Sequence, residues 1–361
     1  MSPHDCVIVG AGIHGLCTAF WLRQRGVHDL LLLERHGPGH DRGSSHGQTR
    51  ITRSSYHEPF LVRLAERAHR EAWPALEREF GRSLRVRTPG VFFGPASGPF
   101  GDYLRATLGS CRDAEQVTPA TARQRFPLLR FPAEDAVLVD QTAAMLLAAD
   151  TIAGLRAWLA EKGVELRWHT PVLRLEPQAD YVDVVIAKAT VKARTVVLAA
   201  GPWLPALAPP GHEPLTVQRQ EVGYFDVAAD EAACRAGTFP VWARIGETPE
   251  NFHYGLPSHA NSGLKAAVHR TTGPGCDPDA IPPAIDDGAL MALARERFAV
   301  EVRGLRAAER CLYTMTGDQG LRVGRHARIP QLVVIAACSG HAFKFGPIIG
   351  QMAADLVAKP A

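Results

Sequence analysis

The stretch "CVIVGAGIHGLCTAFWLRQRG", residues 6–26, limits the fold more than any other part of the 361-residue chain. A β-branched apolar run stops at Gly10, and a helical pattern follows until Gly26 ends it. "DLLLLE", residues 29–34, is a second continuous apolar run. Residues 5–34 therefore read as a strand–helix–strand unit whose strands are buried on both faces, as in a parallel sheet.

Gly10, Gly12 and Gly15 form G-x-G-x-x-G between the first strand and the helix. The first glycine permits the tight turn, the second lets a pyrophosphate approach the backbone, and the third lets helix and strand pack closely. The helix start then offers free N–H groups to phosphate oxygens. Glu34 closes the second strand, where a carboxylate can accept hydrogen bonds from a ribose diol. An acid there suits an adenosine with a free 2′-hydroxyl, hence FAD or NAD rather than NADP.

Bulk properties exclude several classes. The formal net charge is +3, from 40 Lys+Arg against 37 Asp+Glu, too balanced for a general nucleic-acid binder. Seven cysteines, at 6, 17, 111, 234, 276, 311 and 338, are scattered without CxxC spacing, so neither a disulfide framework nor a metal site is expected. The apolar start lacks a basic leader, no long uncharged apolar run follows, and the tail "VAKPA" carries no known address. The chain reads as soluble and cytoplasmic, with no membrane, nucleic-acid or obligatory protein partner.

The spacing of apolar residues predicts a helix over 60–80, kinked at Pro74, and another over about 143–162. "VELRW", "VLRLEP", "YVDVVIA" and "ARTVVLAAG" then read as strands, the last apolar enough for the middle of a sheet. Between 85 and 142, and between 215 and 305, pieces such as "GVFFGP", "VGYFDV", "FHYGLP" and "GLKAAVH" alternate with Pro- and Gly-rich loops. This texture suits an inserted, mostly antiparallel second layer. "QLVVIAACSG" and "GPIIGQMAADLVAK" return to a buried strand and a helix. The expected fold class is α/β (α+β overall): a discontinuous nucleotide-binding domain of residues 1–84, 143–214 and 306–361, and a substrate domain of 85–142 and 215–305.

"TVVLAAGPW", which holds Gly201, resembles the return segment of glutathione-reductase-type FAD-binding folds, and this favours FAD over NAD. Three further stretches extend the resemblance: "GSSHGQTRITR" (43–53), "ERCLYTMTGDQ" with Cys311, and "CSGHAFKFGP" with Lys344. Together they resemble the monomeric sarcosine oxidase family of D-amino-acid-oxidase-like flavoproteins over residues 5–355. That family includes sarcosine, N-methyltryptophan and L-pipecolate oxidases.

The resemblance implies FAD joined by a thioether to Cys311, which sits in the family's C-x-Y-T context with Tyr313 and Thr314. Ser44, His46 and Arg50 would lie on the cofactor side, and Arg53 with Lys344 would bind the substrate carboxylate. Lys265 would promote reaction with dioxygen, while Tyr254 and His269 would line the substrate pocket. Arg50, Lys344 and the last helix start would offset negative charge on the reduced cofactor. The expected activity is oxidation of a secondary, N-methyl or cyclic, amino acid to an imine, with dioxygen reduced to hydrogen peroxide. The substrate would be a small amino or imino acid with a carboxylate, and Trp242 with the "GETPEN" insert would reshape its pocket. Alternatives are a dehydrogenase passing electrons to a quinone or carrier protein, a primary amino-acid oxidase, an NAD enzyme, and a non-catalytic flavin protein.

Overall fold

Strand pairing in the computed structural model, which describes residues 2–336 and 339–358, divides the chain into three sheets. Residues 337 and 338 within the "QLVVIAACSG" pattern, which include Cys338, and the last residues of "VAKPA" lie outside the described residues. The first sheet is built on β1 (His4–Val9), flanked in parallel by β2 (Leu30–Leu33) and β12 (Ala189–Leu198). β9 (Glu165–Arg167) extends it beyond β2. On the other side β12 pairs with β11 (Val182–Ile186), which pairs with β10 (Val172–Pro177). β19 (Ile329–Ile335) also joins β12, in parallel, and carries β18 (Val323–His326). The apolar run at 195–198 thus occupies the middle of the sheet, as its composition requires.

The first helix, Ile13–Gln24, buries Leu16, Cys17 and Phe20 against the last helix, Gly346–Ala358, through Ile348, Ile349 and Ala353. The helix expected over 60–80 forms as Pro59–Arg67 and Trp73–Phe80, joined by a π-helical turn at Ala68–Ala72. Pro74 has no N–H to give the Arg70 carbonyl and its ring crowds that group, so the ladder widens in the turn before it. The Trp73 indole donates to Lys344 O at 2.9 Å, and Trp21 donates to Pro347 O at 2.7 Å. These bonds fix the segment that carries Lys344.

The expectation of a helix from about 143 is corrected by five residues. Ala144–Leu147 form β8, between β3 (Thr49–Thr52) and β4 (Arg85–Arg87), and the helix runs over Ala148–Glu161. "AAMLLAA" is apolar at every position and carries no period; two available edges decide in favour of strand.

The second sheet has the order β17-β13-β16-β15-β14-β5-β7-β6. Its strands are β5 (Gly90–Pro95), β6 (Ala114–Val117), β7 (Asp135–Asp140), β13 (Thr216–Val227), β14 (Val241–Ile245), β15 (Phe252–Leu256), β16 (Leu264–Val268) and β17 (Val302–Met315). All neighbours are antiparallel except β5 with β14. The sequence boundary at 306 falls inside β17, which pairs with β13 from Val302 to Met315. Cys311 therefore stands on an edge strand of the second sheet rather than in the first. Residues 302–315 mix charged and apolar positions without a sustained apolar run, so this strand lacks the buried-run signature.

Gly15 has no room for a side chain, because a Cβ there would lie 1.9 Å from the Gly10 carbonyl oxygen. Gly109, inside the helix Gly98–Ser110, faces open space. Gly15→Val should cost about 3 kcal/mol through overpacking, whereas Gly109→Ala should stabilise by about 0.5–1 kcal/mol through helix propensity. Urea unfolding midpoints of the two variants check both signs.

Candidate active site

A cavity of about 650 Å³ runs between the two large sheets and gathers nearly every residue singled out above. Its nucleotide end is lined by Gly10, Gly12, Glu34, Arg35, Trp168, Gly201 and Trp203. Gly10 takes φ +101°, and a Cβ there would meet Ala199 O at 2.5 Å. The first helix starts after Gly12, which has no side chain to cap it; Ile13 N donates to Ser45 Oγ at 3.0 Å, and the other N–H groups of the first turn remain available to an anion. Glu34 is 7% exposed and accepts from Ala11 N and His36 N, both at 2.9 Å. Each carboxylate oxygen keeps a lone pair for a diol. This donor set fits the adenosine and pyrophosphate of a dinucleotide. Gly15 lies outside the lining and serves the helix–strand contact instead.

The loop 43–53 forms the middle wall. The Ser44 hydroxyl donates to Leu312 O, and His46 Nε2 lies 2.5 Å from Arg310 O, so the two side chains straddle Cys311. Arg50 gathers its own loop, donating to Thr49 O at 2.9 Å, Ser44 O at 3.0 Å and His46 O at 2.6 Å. Across the cavity Glu309, Cys311 and Tyr313 line the wall from one face of β17, as a two-residue period demands. Lys265 is 3% exposed, donates to Thr49 O at 3.1 Å, and sits 5.3 Å from the Tyr224 ring centre. Burial and then the Arg50 charge lower its pKa to about 7, against the opposing pull of Glu309 and Cys311.

The far end is aromatic and cationic. The Arg53 guanidinium carbon lies 4.3, 5.0 and 5.4 Å from the ring centres of Tyr56, Phe92 and Tyr103. Its Nη1 donates to Ser55 O and, at 2.7 Å, to the Tyr103 hydroxyl. The neighbouring Asp140 is already engaged by Ser55 N, Thr142 N and the Thr142 hydroxyl. Lys344 approaches Tyr56 from another side, with Nζ 5.6 Å from the ring centre. Burial, then Arg53, pushes its pKa well below the ordinary lysine range. Among the described residues neither cation has a carboxylate within ion-pair distance. A buried guanidinium and a buried amine, neither ion-paired among the described residues, can receive an anion from outside.

His269 packs on Phe252, Tyr254 and Tyr313, with centroids at 4.6, 6.2 and 5.4 Å. Burial, then His341, Lys344 and Arg53, lowers its pKa to about 3. His341 is likewise lowered to about 3 by burial and Lys344, so both rings are neutral at physiological pH. Burial first, then the nearby Cys311, raises Tyr254 to about 12.

A profile described as FAD dependent oxidoreductase matches residues 5–356. The chain belongs to that family of FAD-dependent oxidoreductases. It is 34% identical to the monomeric sarcosine oxidase of Streptomyces avermitilis, over 99% of this chain and 94% of the relative. With the peroxisomal sarcosine oxidase of Homo sapiens it shares 30% identity over 98% and 92%. The N-methyl-L-tryptophan oxidase of Yersinia pestis is 26% identical over 97% and 94%. Among solved structures, NikD, an amino acid oxidase essential for nikkomycin biosynthesis, superposes with a TM-score of 0.87 at 25% identity, over 99% and 95%.

The family fold thus holds a dinucleotide-shaped cavity with a cationic end. Trp242 does not reach it: the residue is 0% exposed and packs against Phe93 and Phe298 on the far face of its strand. Its neighbours Ala243 and Ile245, on the opposite face of β14, line the cavity instead. Sequence reasoning also missed Tyr56, Phe92, Tyr103, Tyr224, Glu309 and His341. Glu309 carries a usable signal, two residues before Cys311 on a strand, whereas Tyr103 comes from a helix of the other layer and carries none.

No helix among the described residues is long and apolar enough to cross a membrane. Lys344→Met should raise stability by about 1–2 kcal/mol, since it relieves a buried like-charge contact at a functional site. Benzoate, as a simple carboxylate probe, should raise the melting temperature of the unaltered protein, and Lys344→Met should remove that rise. Paired urea and thermal unfolding experiments, with and without benzoate, check the opposite signs.

Proposed function

We propose that this protein oxidises a secondary amino acid, N-methylated or cyclic, to its imine. Bound FAD supplies the hydride acceptor, and its reoxidation by dioxygen gives hydrogen peroxide. The observation that carries this reading is the buried pair Arg53 and Lys344, which form no ion pair among the described residues, at the end of a dinucleotide cavity. The relatives named sarcosine oxidase and N-methyl-L-tryptophan oxidase support the substrate class.

Arg53 offers a planar fork to the carboxylate and Lys344 adds a point charge. Holding that group fixes the orientation of the neighbouring carbon and nitrogen, which supplies much of the acceleration. The same cations disfavour a protonated substrate amine. A neutral amine is required, because a protonated nitrogen has no lone pair to expel a hydride from its neighbouring carbon. Tyr254 and Phe252 supply an apolar wall for the substituent.

Ser44, His46 and Arg50 are assigned to the cofactor side, where Arg50 adds positive charge beside the ring. Cys311, facing the cavity from β17, is assigned the thioether to FAD. Lys265 is assigned the reaction with dioxygen, where a cation stabilises developing superoxide charge. Scattered cysteines without disulfide spacing accord with a cytoplasmic setting.

Anaerobic mixing with a panel of N-methyl and cyclic amino acids should bleach the flavin with at least one member, and admitting air should release peroxide. A panel in which no member bleaches the flavin would end this reading, and bleaching without peroxide would make the enzyme a dehydrogenase. Acid precipitation should leave the yellow colour in the pellet, and Cys311→Ser should move it to the supernatant. Lys265→Met should slow reoxidation by about 100-fold, the scale of losing one preorganised electrostatic contact.

A further inference from the structure

Three carboxylates line the cavity: Glu34, Asp279 and Glu309. Glu34 holds the nucleotide turn, and Asp279 is bound by Arg35 and by the Trp203 indole at 2.9 Å. Glu309 alone stands among the cations of the middle wall. Its Oε2 accepts from the Tyr224 hydroxyl at 2.9 Å. Tyr224 is the register partner of Lys265 on β16 and of Ala307 on β17, so one side chain spans the strands that carry the acid and the lysine. The same oxygen lies 3.0 Å from where a Cβ on Gly47 would be, and Arg50 Nη1 lies 3.3 Å from that point. Gly47 takes φ +82°, so the loop brings guanidinium and carboxylate together over a position where only glycine fits without strain.

We propose that Glu309 is a positioning residue that keeps Lys265 charged and directed at the cavity, acting from behind Tyr224 and beside Arg50. The proposal rests on the oxygen-side reading of Lys265 given above. Of the nearby groups, Glu309 and, more weakly, Cys311 favour the charged amine, as do the Thr49 carbonyl that accepts from it and the Tyr224 face beside it. From β3 come the Thr49 carbonyl and the Arg50 cation; from β15, Tyr254 and the register partner Leu256; from β17, Cys311 and Glu309. Burial and Arg50 press Lys265 towards neutrality, and Glu309 is the largest opposing influence. Tyr224 stays a donor because burial, and then the Glu309 charge, hold its hydroxyl protonated.

Lysine is itself informative at this point. The chain has six lysines, at 162, 188, 192, 265, 344 and 359, among 40 Lys+Arg. Two of the six are buried beside this cavity. An arginine there would stay charged without help, whereas an ammonium with a lowered pKa needs a neighbouring anion to remain so.

The test is Glu309→Gln, which preserves shape and removes the charge, read on the flavin-loaded enzyme with 13C-labelled lysine. Lys265→Met assigns the signal. The Lys265 titration midpoint should fall by about half a unit or more, a threefold loss of the charged form above the midpoint. The alkaline fall of the second-order rate constant with dioxygen should move to lower pH by the same amount. Anaerobic reduction by substrate should stay within twofold, and Glu309→Asp should restore part of the shift. A Lys265 midpoint and oxygen profile that coincide with those of the unaltered enzyme overturn the proposal. If Lys265→Met reoxidises as fast as the unaltered enzyme, the oxygen reading fails instead, and the titration midpoint still decides whether Glu309 holds the charge.

Discussion

The architecture depends on how the outer edge of β17 is covered. This strand ends the second sheet, so its unpaired carbonyls need donors from elsewhere. Ser44 and His46, on a loop that leaves the first sheet after β2, supply them at Leu312 and Arg310. The clamp closes a sheet edge, joins the two layers and leaves the cavity between them. Arg50 then holds the loop in the shape that makes the clamp possible, through three of the loop's own carbonyls. Cys311 faces the cavity because its two flanking residues are held from outside.

The electrostatics of the cavity run against the stability of the chain. Arg50, Arg53, Lys265 and Lys344 all line it, and among the described residues Glu309 is the acid that lines the cavity beside them, with Asp140 behind Arg53. A fold selected for stability alone would pair or remove such charges, since each buried cation without a partner carries a desolvation cost of several kcal/mol. Aromatic faces reduce that cost: Tyr56, Phe92 and Tyr103 surround Arg53, and Tyr224 lies against Lys265. They stabilise the cations without neutralising them, and so leave an arriving carboxylate its full attraction.

Much of the first layer was legible in the chain. Gly10, Gly12, Gly15 and Glu34 carry a local pattern in which spacing alone fixes strand, turn and helix, and the structure places each where that pattern requires. Legibility failed where distant segments decide. The strand 302–315 was cut at 306 because its affiliation comes from β13, some 90 residues earlier. Trp242 is expected, with the "GETPEN" insert, to reshape the pocket, but strand parity turns it into the core and gives the wall to Ala243 and Ile245. Tyr56 and Tyr103 meet Arg53 only after two layers assemble. The arginines, lysines and Cys311 were named through family resemblance, since no period or spacing distinguishes them from surface charge or a core thiol.

The site also inverts the usual division between histidine and lysine. Histidine is the side chain whose ordinary pKa crosses the physiological range. Here burial beside Arg53 and Lys344 drives His269 and His341 down to about 3, so both stay neutral throughout that range. Lys265, ordinarily charged well beyond it, is brought down to about 7 by the same physics. The charge of the cavity near neutral pH is therefore governed by an amine and the carboxylate behind it. The two imidazoles contribute shape, ring contacts and neutral ring nitrogens across the physiological range.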